Sequence, residues 1–285
     1  MPFLILTSLI WSLSFGLIKT SLTGLDPNLV AAIRLAISAA VFAPFLRRLP
    51  AGLPLRLVGI GAVQFGLMYV LVIRSYQSLA AWQVALFTIL TPLHVVLLES
   101  LRSRRWRGIE FGGALVAILA AGWVAWPEPG SDLRAPVVGA CLVQLSNLAF
   151  AFGQLAYKRT VPEETSNTAA MAWAYLGAVG VAGLAAATTA GLEDLALETQ
   201  QMWVLLYLGV VPSGLGFFFW NKGARRVAVG TLAVMNNLKV PLAVAVSLVV
   251  FGESADPARL APGAALVLLA LWMVRRREEA PSRDA

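Results

Sequence analysis

The chain has 285 residues, of which 59% are hydrophobic and 13% charged, with a formal net charge of +7 and one cysteine, Cys141. A soluble domain of this length carries roughly a quarter charged residues to face water, so an ordinary soluble enzyme is excluded, and a single cysteine excludes an internal disulfide. The basic residues sit in short clusters between apolar runs, a pattern of membrane orientation signals rather than of a nucleic-acid binder.

Apolar stretches of about 18 residues or more recur along the whole chain, each long enough to cross a hydrocarbon core of about 30 Å. In chain order they predict an all-α polytopic membrane protein with ten spans, at 3–20, 29–46, 55–77, 82–100, 108–126, 136–158, 166–190, 200–221, 227–251 and 259–275. Asp26-Pro27, Pro50 to Pro54, Pro127 to Gly130, Pro162 and Gly252 punctuate them. Met1 to Ser14 lacks a basic leading region and a cleavage site, so it is read as part of the first span. Alternating the loops by side puts sixteen Lys and Arg residues on one face and three, Lys19, Arg134 and Arg259, on the other. The richer face is expected to be cytoplasmic, with both termini there, in a multi-pass protein of the cytoplasmic (inner) membrane.

An ionisable side chain facing lipid costs about 3 kcal/mol or more, so those inside spans are expected to face the interior. The first span offers Thr7, Trp11 and Ser14 on one face; the second carries Arg34. Arg34 would either gate the pathway or tie helices together through carbonyls. The third span carries Gln64, Tyr69 and, towards its outer end, Arg74, a gate candidate that can equally snorkel to the interface. In the fourth, Phe87 precedes Pro92 and His94. His94 titrates near neutral pH when unperturbed and is a candidate proton carrier, although a lone histidine can simply be bonded inside a bundle.

The sixth span has a polar stripe, Gln144, Asn147, Gln154 and Lys158, on one helical face, which must turn inward to meet solute or neighbouring helices. In the seventh, Gly177, Gly180 and Gly183 would allow close helix packing. The eighth contains Pro212-Ser-Gly-Leu-Gly216, a bendable segment or a static kink, followed by Trp220. The deep aromatics Trp11, Tyr69, Phe87 and Trp220 would stack on a ring-bearing substrate or merely pack. In the ninth span Asn236 and Lys239 share a helical face, and Pro241 frees a carbonyl near residue 237. An ammonium, a carboxamide and a freed carbonyl at one level suit a substrate carboxylate; the plainer alternative is a lysine held by structural carbonyls.

Pro92 and Pro241 lie 149 positions apart, and the Lys19 end of the first span echoes the Lys158 end of the sixth. Five spans per half is an odd number, so the second half enters the membrane from the opposite side. The expected organisation is two inverted five-helix repeats, 1–126 and 136–275, and a cytoplasmic tail at 276–285. Inverted repeats commonly build secondary transporters, with the binding site near the midplane.

The run Trp11-Ser-Leu-Ser-Phe-Gly-Leu-Ile-Lys19, then Asp26-Pro27, then Ala31-Ala-Ile-Arg34-Leu resembles the opening of the drug/metabolite transporter superfamily in its EamA-type branch. The ninth span, from Val229-Gly-Thr-Leu-Ala-Val through Pro241 to Phe251-Gly-Glu253, is similar to that family's penultimate span. The resemblance implies ten spans as five plus five, a cavity lined by spans one, three, four, six, eight and nine, and export or exchange of amino acids, metabolites or drugs. One branch exports aromatic amino acids. Two positions depart from the pattern: Lys239 stands where many relatives carry Glu before the proline, and Leu35 replaces a common Phe.

The expectation is a secondary transporter that moves small organic metabolites, amino acids foremost and aromatic ones included, outward by alternating access. A drug or other-metabolite exporter of the same fold is the alternative. An intramembrane hydrolase is the rival from another class, but no His-Glu-x-x-His is present and Ser213 would have only His94 as a base. No cofactor and no metal are expected; the partners are a small-molecule substrate and the lipid bilayer, with the chain a monomer or dimer.

Overall fold

The computed structural model describes residues 2–104, 134–191, 196–227 and 235–254, together with positions 116, 119, 123, 232, 261–262, 265–266 and 269. Among the described residues there are helices and turns and no strands. Seven helices are long and apolar enough to cross a membrane: α1 (Pro2–Leu22), α2 (Pro27–Phe45), α3 (Leu53–Ser75), α4 (Ala81–Ser103), α5 (Arg134–Thr160), α6 (Asn167–Ala187) and α7 (Thr199–Ala224). A shorter apolar helix, α8 (Lys239–Val249), follows. These match the first four predicted spans and the sixth to ninth; the fifth, 108–126, and the tenth, 259–275, lie outside the described residues apart from isolated positions.

The bundle is apolar on the outside as well as within. Leu55, Leu184, Trp203 and Val249 are 78%, 70%, 68% and 83% exposed, which is tolerable for a surface solvated by hydrocarbon and costly for one in water. Helix ends are fixed by local chemistry. Asp26 accepts the Leu29 amide at 2.8 Å and Pro27 opens α2, where its missing N–H costs nothing.

α1 packs on α7 and α8, α2 on α6 and α7, α5 on α3 and α4, and α3 on α6; α4 also meets α8. The α3–α6 crossing is close enough that a methyl group on Gly61 would strike the Ala174 backbone, and one on Gly177 the Val58 carbonyl. Gly180 and Gly183 face open space, so of the three-glycine series only Gly177 serves this crossing.

Besides the 3₁₀ turn Ala43–Phe45 that ends α2, three spans depart from regular α-helix within their length. α4 tightens into a 3₁₀ turn at Thr88–Leu90, just before Pro92. α3 widens into a π-helical turn at Ala62–Leu67, and α7 does so over Gly209–Gly216, around Pro212. Proline lacks an N–H and pushes away the carbonyl one turn back, and the widened turn leaves carbonyls of α7 short of their usual partners. Other helices supply donors: Ser38 bonds the Gly209 carbonyl at 2.7 Å, Trp11 Nε1 the Pro212 carbonyl at 2.9 Å, the Tyr175 hydroxyl that of Ser213, and Thr7 that of Gly216 at 3.3 Å.

Cations close two helix C-termini. Lys19 Nζ donates to the Tyr76 carbonyl at 2.7 Å, and Lys158 Nζ to the carbonyls of Ala224 and Val227 at 2.9 and 2.8 Å. At the start of α4 the Glu253 carboxylate accepts the amides of Ala81 and Trp82 at 2.9 and 3.0 Å.

Candidate functional site

The centre of the bundle holds a partly open cavity walled by α1, α2, α3, α4, α5, α7 and α8. Two cations face it, Arg34 and Lys239, and among the described residues no Asp or Glu lines it. Lys239 is buried, with Nζ 4.8 Å from the Trp11 ring centroid and 5.6 Å from that of Phe150. Aromatic faces attract the ammonium, but they replace only part of its lost hydration. Among the described residues no carboxylate and no hydrogen-bond acceptor reaches it.

Arg34 is held from one side. Its Nη2 donates to the Tyr69 hydroxyl at 3.1 Å and to Ser213 Oγ at 3.0 Å, and its guanidinium lies 4.5 Å from the Tyr69 ring centroid. Nε and Nη1 are buried without partners. Elsewhere in the lining Asn147 donates to the Phe87 carbonyl at 2.9 Å and accepts from Thr91 at 3.3 Å, while Ser146 bonds the Met68 carbonyl at 3.0 Å. The result is a mostly apolar chamber lined by two cations and by fixed hydroxyl and amide groups, a form typical of small-ligand sites.

Below the cavity, towards the Pro2 end of α1, lies a layer of packed rings. Trp11 meets Phe217 at 4.9 Å and Trp220 at 5.2 Å between centroids, and Phe217 meets Phe65 at 4.8 Å and Phe150 at 5.8 Å. A third layer follows, made of amides. Gln154 Oε1 accepts from Trp220 Nε1 at 3.1 Å and from Asn236 Nδ2 at 3.4 Å, and Gln64 Nε2 donates to Asn221 Oδ1 at 2.9 Å. Helical spacing generates the layering: Asn147, Phe150 and Gln154 follow one face of α5, as Ser213, Phe217 and Asn221 do along α7.

Of the residues singled out in the sequence, Lys239, Arg34, Trp11, Ser14, Tyr69, Asn147 and Pro212 line the cavity. Trp220 stands in the ring layer, Gln154 and Asn236 in the amide layer, none of them in contact with the chamber. Phe87 contributes its carbonyl to Asn147 rather than a ring surface to the cavity. His94 and Pro241 are not in the lining; His94 Nδ1 sits 2.9 Å from the Leu90 carbonyl of its own helix. Arg74 is exposed and away from the cavity. Sequence reasoning missed Phe150, Phe217, Ser146, Thr88 and Thr91. Phe150 had a signal: it falls between Asn147 and Gln154 on their shared stripe.

A helical bundle with an apolar exterior around a central charged chamber suits a membrane transporter, and among the described residues Ser213 Oγ is bonded to Arg34 and Tyr69. The chain belongs to the EamA-like transporter family, whose model matches residues 1–126 and 137–276. The biotin transporter of Salmonella typhimurium is 38% identical over 287 residues, covering 97% of this chain and 93% of that protein. A probable biotin transporter of Pseudomonas aeruginosa is 37% identical, covering 98% of this chain and 99% of its own. A probable terminal-alkyne amino-acid exporter of Streptantibioticus cattleyicolor is 26% identical over 99% of this chain and 95% of that one. One crystal structure superposes with a TM-score of 0.66 at 22% identity, covering 97% of this chain and 98% of the other, which establishes likeness of fold alone.

Proposed function

We propose that the chain is a ten-span alternating-access carrier for a small carboxylate-bearing metabolite, and that biotin is its substrate. The observation that carries this reading is the cavity itself: two buried cations, Arg34 and Lys239, with unused charge or unused donors and no acidic neighbour among the described residues. An anion entering the chamber would complete both. Tight burial of a carboxylate against Lys239 recovers interaction that the aromatic faces do not provide. The relatives at 37–38% identity named as biotin transporters favour a carboxylate attached to a compact hydrogen-bonding ring, for which Asn147 and Thr91 supply neutral partners.

The inverted-repeat organisation is part of this proposal. Exchanging α1 with α5, α2 with α6, α3 with α7 and α4 with α8 converts the α1–α8 contact into α5–α4, α1–α7 into α5–α3, and α2–α7 into α6–α3, all of which occur. It also exchanges Lys19 on Tyr76 with Lys158 on Ala224, and the π-helical turn of α3 with that of α7. The family match in two stretches, 1–126 and 137–276, supports the same division. With the Lys- and Arg-rich face cytoplasmic, the ring and amide layers lie on the cytoplasmic side of the cavity.

A second reading, an amino-acid carrier, is favoured by the amino-acid exporter relative. The test is uptake of radiolabelled biotin and, separately, of a panel of amino acids into proteoliposomes. Saturable biotin uptake that unlabelled amino acids leave untouched supports the first reading. Amino-acid uptake without biotin uptake replaces it with the second.

A further inference from the structure

We infer that the four buried amides Gln64, Gln154, Asn221 and Asn236 form a second substrate station beyond the ring layer, one that receives a cyclic urea or similar neutral ring. This inference deepens the biotin reading and rests on it.

All four side chains are fully buried, and they come from α3, α5, α7 and the turn leading into α8. A purely structural amide network in a bundle interior satisfies its members, because an unmet donor or acceptor there is costly. This one is incomplete in a patterned way. Among the described residues Gln154 Nε2 has no acceptor, and neither Gln64 Oε1 nor Asn236 Oδ1 has a donor. Among these four amides the unused set is therefore one NH₂ group and two carbonyl oxygens, while Asn237, next to Asn236, leaves a further NH₂ and a further carbonyl unpaired. A cyclic urea presents the complement, one carbonyl and two N–H groups. Among the described residues the layer carries no charged side chain, so it suits a neutral ring and not the carboxylate, which belongs with Arg34 and Lys239.

The spacing fits a hand-over between the two. Asn147 and Gln154 are seven residues apart on α5, about 10 Å by helical rise. The gap is filled by Trp11, Phe150 and Trp220, whose Nε1 already points to Gln154. Displacing these rings joins the layers into one path, cationic at one end and amide-lined at the other. A substrate with a ring and a carboxylate on a flexible chain would meet both surfaces in turn.

The test compares the two faces of the membrane. Biotin KM is measured in right-side-out and inverted proteoliposomes for wild type, Gln154→Leu and Gln64→Met. The expected result is a KM raised about tenfold or more from the face next to the amides, with little change from the other. Desthiobiotin, which keeps the urea, should behave as biotin does, while octanoate, a carboxylate without it, should compete equally in wild type and variants. A wild-type arm needs no variant to fold: 2-imidazolidinone, the bare cyclic urea, should inhibit from the amide face only. Unchanged KM on both faces, an equal change on both, or inhibition by 2-imidazolidinone on neither or both faces overturns the inference. Biotin transport by wild type with any of those outcomes removes the station and leaves the biotin reading intact; failure of wild type to move biotin removes both.

Discussion

Lys239 holds its ammonium 4.8 Å from the ring centroid of Trp11, a contact between a charge near the start of α8 and an aromatic face in the middle of α1. A cation whose described neighbours are rings is stabilised less than one with a carboxylate, and this shortfall makes it receptive to an anionic ligand. Function and stability should then respond in opposite directions. Lys239→Met should weaken biotin binding by about 10- to 150-fold, the loss of one charge-assisted hydrogen bond of about 1.5–3 kcal/mol. The same substitution should raise the melting temperature of the detergent-solubilised protein, because it removes an unpaired buried charge. Binding by calorimetry and melting by a thermal-shift assay read the two effects on one sample; a lysine that is structural would lower both.

Trp11 has a second duty, its 2.9 Å hydrogen bond to the Pro212 carbonyl in the widened turn of α7. Trp11→Phe keeps a ring beside Phe217 but leaves that carbonyl without its donor, at a cost of about 1 kcal/mol. Backbone amides of residues 209–216 should then exchange hydrogen faster by roughly fivefold, whereas those of α6 should not change. Mass-spectrometric hydrogen exchange resolves the segment, and equal exchange in both proteins would show that the bond does not restrain it.

His94 points back to the Leu90 carbonyl and takes no part in the cavity lining. His94→Gln should therefore preserve whatever response wild-type uptake has to an imposed pH gradient, with rates changed less than about threefold. Loss of the pH response in the variant, with uptake retained, would restore the histidine as a proton carrier.

Gly177 and Gly180 are one helical turn apart on α6 and differ in what surrounds them. Gly177→Val drives a side chain into the Val58 carbonyl of α3, and more than about 3 kcal/mol of destabilisation is expected. Gly180→Val meets open space and should stay within about 0.5 kcal/mol. Fluorescence-detected size-exclusion profiles after heating distinguish the pair directly.

The spans were legible because lipid imposes a simple condition on sequence: a run of apolar residues long enough to cross. Predicted limits such as 136–158 and 166–190 fall within a few residues of Arg134–Thr160 and Asn167–Ala187. The polar stripe of α5 was legible for the same reason, since polar groups in an apolar solvent must turn inward; Gln144, Asn147, Gln154 and Lys158 all have hydrogen-bond partners. The internal arrangement of the site was harder to read. Arg34, Tyr69 and Ser213 form a mutual hydrogen-bonded trio from positions 35 and 144 residues apart, and no local pattern announces it. Burial by type was also ambiguous: Trp220 and Trp11 read alike as deep aromatics, yet only Trp11 reaches the chamber, with the Trp220 ring packed against it at a tilt of 34°. The π-helical turn of α3 had no proline to betray it.

Those widened turns bear on how related chains should be aligned. A π turn absorbs surplus chain without lengthening the span much, so the count beyond it shifts by one, and neighbouring positions on a helix point about 100° apart. Tyr69 in α3 and Phe217 in α7 both lie just past such a turn. A relative lacking the surplus residue would keep a span of ordinary length and hydrophobicity while presenting a different side chain at the same depth. Column-by-column identity past residue 67 or 216 would then compare residues that face different neighbours, and a single-residue gap placed inside the widened turn would restore the match.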